Sequence, residues 1–116
     1  MTYRSELRLR YPAILERASL SYEAGWAVLL DTLCERLQHH ADQGGQAVQI
    51  TQAKEKWGEL SVNGMGGDDY AYGLIDMAEA LSAHICELCG NPGRLEEGPV
   101  FRTRCGEHGD KSSPTG

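Results

Sequence analysis

Three cysteines and a histidine constrain this chain more than any other feature. Cys86 and Cys89 form C-x2-C, fifteen residues follow, and Cys105 and His108 form C-x2-H. A C-x2-C pair sets two sulfurs on one tight turn, at the spacing a tetrahedral ion needs, and a second pair completes a four-coordinate shell. Gly90 follows the first pair and Gly106 splits the second. Both suit knuckle turns whose backbone N–H groups point at thiolate sulfur. Asn91-Pro92-Gly93 reads as a turn, and Leu95 to Arg104 as a small hairpin joining the knuckles. The spacing predicts one Zn2+ held by Cys86, Cys89, Cys105 and His108.

Other readings of the four cysteines fit less well. Disulfides suit a short secreted chain, but Met1 to Arg10 is charged and lacks the apolar segment of a secretory signal. The expected compartment is a reducing bacterial cytoplasm. A redox pair needs a helix N-terminus to lower its thiol pKa, whereas Cys86 follows a helical pattern, where the dipole has the opposite sign. Iron fits the ligands, but three Cys and one His in a small domain point to zinc. A catalytic zinc keeps an open position for water; four donors at knuckle spacing close the shell, so the site is expected to be structural. His84 is a conceivable substitute ligand, less suited than His108 because His108 shares a knuckle with Cys105.

At 116 residues the chain is expected to form one domain. No stretch approaches the roughly 20 apolar residues that cross a membrane. The net charge of −6 is unevenly spread: residues 1–20 carry +2, residues 21–85 carry −7 and the rest −1. An acidic middle disfavours phosphate backbones, since binding them relies on Lys and Arg displacing counterions. Acidity also serves solubility alone.

Residues 1–20 read as a basic lead-in, with Ile14 and Leu15 as core contacts. From Ser21 to Asp42, Trp26, Leu29, Leu30, Leu33 and Leu37 recur at helical spacing, and Gly44-Gly45 ends the run. Cys34 falls beside that stripe and is expected in the core. His39 and His40 are expected to face solvent and favour the helix C-terminal dipole. Gln46 to Asn63 reads as a β-hairpin, with Val48 and Ile50 alternating on one side of a break near Trp57-Gly58-Glu59 and Leu60 and Val62 on the other. Alternation fails through Gln52 to Lys56, which predicts a bulge or a strand end. Asn63 to Asp69 reads as a flexible turn, and Asp68 or Asp69 as the N-cap of a second helix to about His84. Its expected buried stripe is Leu74, Ile75, Ala78, Leu81 and Ile85.

The predicted fold class is α+β: two helices packed on a small antiparallel hairpin or sheet, with a C-terminal zinc-ribbon-like knuckle module. Residues 1–85 form the helix-hairpin-helix core, 86–108 the zinc module and 109–116 a disordered tail. No Ser-His-Asp set, phosphate-cradling loop or metal–carboxylate motif is visible, so no catalytic residue is assigned. Lys54, Lys56 and Trp57 at the hairpin break have two readings: core packing with charges paired across the strands, or an exposed contact patch where Trp serves as an anchor.

Lys54-Glu55-Lys56-Trp57-Gly58-Glu59-Leu60, then Cys86-Glu87-Leu88-Cys89-Gly90-Asn91-Pro92-Gly93, then Arg102-Thr103-Arg104-Cys105-x-x-His108 resemble a widespread family of small phage and prophage proteins. That family shows K-E-K-F-G-x-L-R, C-E-x-C-G-x-P-G and R-T-x-C-x-x-H. Gly25-Trp26-x-x-Leu29-Leu30-x-x-Leu33-Cys34 also matches, so the resemblance covers most of residues 11–108. Trp57 replaces the family's Phe, and Ser61 stands where Arg is frequent. The resemblance implies a mobile-element origin and metal binding without supplying an activity.

Together these features predict a non-enzymatic protein that binds, and inhibits, a host protein machine such as a nucleic-acid-handling defence complex, an anti-CRISPR-type role. The candidate partner-binding residues are Lys54, Lys56, Trp57, Asp68 and Asp69. The alternative is a zinc-knuckle nucleic-acid-binding regulator, with Arg94, Arg102, Arg104 and the N-terminal arginines as its footprint. A homo-oligomer is compatible with either.

Overall fold

The structure, a computed structural model, describes residues 3–109 and is α+β. The chain begins with α1 (Tyr3–Arg10), α2 (Pro12–Leu15) and β1 (Ser19–Ser21). A 3-10 turn (Ala24–Trp26) then leads into α3 (Ala27–Asp42). The hairpin strands are β2 (Val48–Lys56) and β3 (Glu59–Gly66). α4 (Asp69–Ser82) follows, then β4 (Arg94–Glu96) and β5 (Arg102–Arg104). All but Gly109 of the expected disordered tail lies outside the described residues.

The larger sheet has the order β1-β2-β3, with β1 parallel to β2 and β3 antiparallel to it. The expected two-helix, all-antiparallel core is therefore corrected: the lead-in supplies two helices and a parallel strand. Only Leu7 of α1 is buried, so no stripe marked that helix. Its arginines hold it by reaching chain-distant carbonyls: Arg8 donates to Leu15 O and Ala18 O at 2.9 and 2.6 Å, and Arg4 donates to Tyr22 O.

α3 buries Leu29, Leu30, Leu33, Cys34 and Leu37, as its spacing requires, and Trp26 is fully buried beside them. Gly44, with φ +97°, closes the helix. Cys34 is buried, and desolvation, with Asp31 adding to it, pushes its thiol pKa up to about 12.

The break between the hairpin strands is a two-residue turn. Trp57 and Gly58 both take positive φ, 54° and 85°, the mirror-image turn whose twist matches the strands. The predicted irregularity is a register shift between Ile50 and Gln52, and β2 runs on unbroken to Lys56. β3 extends through Gly64, Met65 and Gly66, where a flexible turn was expected, because Gly64 to Gly66 pair with Val48 to Ile50.

Asp68 caps α4, accepting from Ala71 N at 2.9 Å. α4 buries Ala71, Ile75, Ala78 and Ser82, while Leu81 is 44% exposed rather than in the stripe. Ser82 explains the difference. Its Oγ accepts from Leu60 N at 2.9 Å, and Glu79 Oε2 accepts from Val62 N at 2.8 Å. β3 is an edge strand, and α4 takes up the outward N–H groups that would otherwise template further pairing.

Candidate metal centre

The C-terminal segment folds back on itself before it meets the rest of the chain. Ile85 bridges Pro92, Cys86 N donates to Asn91 O at 2.8 Å, and Gly90 N donates to Cys86 O at 2.9 Å. This is the first knuckle. β4 and β5 form the expected hairpin, with Arg94 opposite Arg104, and deliver Cys105 to the second knuckle, where His108 N donates to Cys105 O.

The donor atoms of Cys86, Cys89, Cys105 and His108 all lie within 4.8 Å of one another and could hold a metal ion. Cys89 Sγ and Cys105 Sγ are 3.6 Å apart, far from a disulfide bond. His108 presents Nδ1, at 3.6 Å from Cys86 Sγ and 3.2 Å from Cys105 Sγ. A tetrahedral ion with bonds of about 2.3 Å to sulfur and about 2.0 Å to nitrogen has sulfur–sulfur edges near 3.8 Å and sulfur–nitrogen edges near 3.6 Å. The Cys89–Cys105 and Cys86–His108 distances are close to these edges, the Cys105–His108 distance is shorter, and each of the four side chains offers one donor atom.

The electrostatics of two of the thiols differ in sign. Burial opposes ionisation of Cys86, but the backbone N–H groups of Cys105, Cys89 and Leu88 outweigh it and bring the thiol down to about 6. The Asn91 N–H favours the Cys89 thiolate, yet desolvation and the neighbouring Cys105 and Cys86 sulfurs prevail and raise it. Thiolates packed this closely repel unless a metal neutralises them.

Two segments distant in sequence clasp this module, and an ion pair within it lies between them. Gly25 N donates to Glu87 O at 2.7 Å, and Trp26 Nε1 donates to Ile85 O at 2.9 Å. A Cβ on Gly25 would lie 2.2 Å from Cys86 O, so only glycine allows this approach. On the other side, Thr103, fully buried, donates its hydroxyl to Gly58 O at 2.8 Å. Between them Arg104 meets Glu87 at 3.2 Å. Burial pushes the Glu87 carboxyl pKa up, against the opposing pull of Arg104.

The partner-binding candidates fall in two separate places. Lys54, Lys56 and Trp57 lie at the hairpin tip, where Trp57 is 71% exposed and meets Phe101 edge-on at 6.3 Å. The core-packing reading of Trp57 is thereby excluded. Asp68 and Asp69 lie at the other end of the hairpin, roughly 25 Å away at ~3.3 Å per strand residue. Asp68 is occupied within the chain: its carboxylate accepts from Ala71 N and Gln46 N and meets His40 Nε2 at 2.8 Å. These hydrogen bonds, Ala71 first, hold its pKa down to about 2. His40 therefore does not simply face solvent: it is half-buried on Asp68 and stacked on Tyr70 at 4.4 Å, while His39 is exposed as expected.

Sequence reasoning missed Gly25, which receives the first knuckle, and Phe101, which meets Trp57 at the hairpin tip. The signal for Gly25 was its place directly before a core tryptophan; Phe101 carried none. Comparison with protein-family models, with curated proteins and with solved structures found no match to this chain.

Proposed function

We propose that this chain is a non-enzymatic binding protein, clamped by one structural Zn2+, that docks on a protein machine of a bacterial host and inhibits it. Zinc is the ion this donor set favours: soft thiolates with one imidazole, in a closed tetrahedral shell. The observation that carries the binding role is the exposed Trp57. A large aromatic ring stands out from a turn whose next residue is anchored to the metal module, which is how interface anchors are displayed. The mobile-element and anti-defence part rests on the resemblance and on the acidic charge, which suits the basic channels of nucleic-acid-handling machines.

Five of the seven arginines in the regulator reading's footprint are engaged within the chain, Arg17 and Arg94 being the two exposed exceptions. Arg102 pairs with Glu96, Arg104 with Glu87 and Arg10 with Asp31, and Arg4 and Arg8 bind backbone carbonyls. Affinity purification of the zinc-loaded chain from bacterial extract, beside Trp57→Ala, tests the proposal. A stoichiometric protein partner that Trp57→Ala loses supports it. Co-purifying nucleic acid without a protein partner overturns it.

A further inference from the structure

Beside Trp57 lies an open cleft of about 330 Å³, between the hairpin tip and α4. Its walls are Trp57 and Lys56 on the turn, Glu59, Leu60 and Ser61 on β3, and Asp76, Glu79 and Ala80 on α4. We propose that this cleft is the docking surface for a basic segment of the protein partner, and that it takes one arginine or lysine side chain. The inference rests on the binding role proposed above and names the chemistry of what is bound.

The cleft combines two features that converge on a cation. One is charge: a single lysine faces three carboxylates. Glu79 spends one oxygen on Val62 N, while Asp76 and Glu59 hold no side-chain partner among the described residues. Three carboxylates alone would be a solvated acidic face. The other is the aromatic wall. An exposed indole attracts a guanidinium or ammonium by its ring quadrupole, and a carboxylate nearby completes the recognition. Leu60 and Ala80 supply apolar surface for the stem of such a side chain. A phosphate backbone has the wrong sign for this cleft.

The turn is also held in place before anything binds. Gly58 N donates to Glu55 Oε2 at 2.6 Å and Gly58 O accepts from Thr103, while a Cβ at Gly58 would meet Leu95 Cδ1 at 2.6 Å and Arg102 N at 2.7 Å. The metal module thus keeps Trp57 at the rim of the cleft, and preorganisation of this kind lowers the entropic cost of docking.

The test is a 15N NMR titration of the zinc-loaded full chain with three peptides of equal length, bearing two arginines, two lysines or two glutamines around a leucine. The expected result is saturable shifts at the Trp57 indole N–H, Glu59 and Asp76 with the cationic peptides and none with the glutamine peptide. Trp57→Ala and Asp76→Asn should each weaken binding roughly five- to tenfold, with melting temperatures unchanged. The proposal is overturned if the cationic peptides shift residues evenly over the surface, if neither variant weakens them, or if an oligonucleotide shifts the same cleft residues more strongly. Failure of the cleft and failure of the binding role are separable. A host protein captured equally by wild type and Asp76→Asn leaves the binding role standing and overturns the cleft. Peptide shifts confined to the cleft without any captured host protein support the cleft and count against the role.

Discussion

Gly25→Ala tests whether the metal module and the helical core behave as one unit. The added Cβ would sit 2.2 Å from Cys86 O and 2.4 Å from Glu87 C and O, inside contact distance of backbone that no side-chain rotation relieves. Either the 3-10 turn or the first knuckle must move. Overpacking of this kind costs about 1–3 kcal/mol, and losing the Gly25 N to Glu87 O hydrogen bond adds about 1 kcal/mol. A total of about 3 kcal/mol lowers the melting temperature of a chain this size by roughly 10 °C. The cost should depend on metal, because the stripped knuckle can shift away while the loaded one cannot. By linkage, whatever part of the penalty falls only on the loaded state appears as lost affinity; about 2 kcal/mol of it is roughly thirtyfold. Thermal melts with excess zinc and with chelator, beside competition with a chromophoric chelator, measure both. The reasoning fails if Gly25→Ala melts within about 2 °C of wild type in zinc, or if its deficit is equally large after chelation.

Other consequences follow from the same contacts. Thr103→Val should cost about 1–2 kcal/mol by orphaning buried Gly58 O, and should raise Trp57 mobility by fluorescence anisotropy; unchanged anisotropy would separate the turn from the metal module. Thiol titration should find no fast-reacting cysteine in loaded protein; after chelation the stripped knuckles open and expose Cys86, Cys89 and Cys105, while Cys34, packed in the helical core, reacts only on unfolding, and its fast reaction would contradict that packing. Asp68 has a depressed pKa, so its contribution to stability is complete above the usual carboxylate value near 3.8 and is lost as pH falls through about 2. Denaturant midpoints of wild type and Asp68→Asn should therefore differ at neutral pH and converge between about pH 4 and 2. Acid loss of metal is common to both proteins and drops out of the comparison.

What the sequence revealed and what it hid have physical causes. The Cys/His quartet was legible because coordination geometry dictates spacing, and α3 was legible because one stripe meets the core. α1 left no such trace, being held by guanidinium contacts to carbonyls that no periodicity encodes. β1 is three residues long, and only its partner β2 makes it a strand. The Trp57-Gly58 turn looked like a break because a bulky residue at positive φ is not a usual turn signal, although cross-strand pairing imposes it here. Leu81 was read as core from spacing, but Ser82 took the inward place because edge-strand N–H groups need an acceptor. In the candidate site the cluster of Cys86, Cys89, Cys105 and His108, which could hold a metal, was readable from chemistry. Its clasp to Gly25 and Gly58 was not, since a glycine's need to admit a neighbour's backbone is visible only once that neighbour is placed.

The parallel pairing of β1 with β2 governs how the chain reaches this state. Ser19 sits opposite Gln52, so the strands can join only after the intervening chain, with α3 in it, has closed a long loop. Non-local closure of this kind is slow compared with helix or hairpin formation. The surfaces that clasp the knuckle, Gly25 on one side of α3 and Gly58 beyond β2, are brought together by that same event. Under the zinc-clamped reading proposed above, metal captured by the nascent knuckle would wait for the core, and refolding rates should follow strand closure rather than zinc concentration once zinc is in excess.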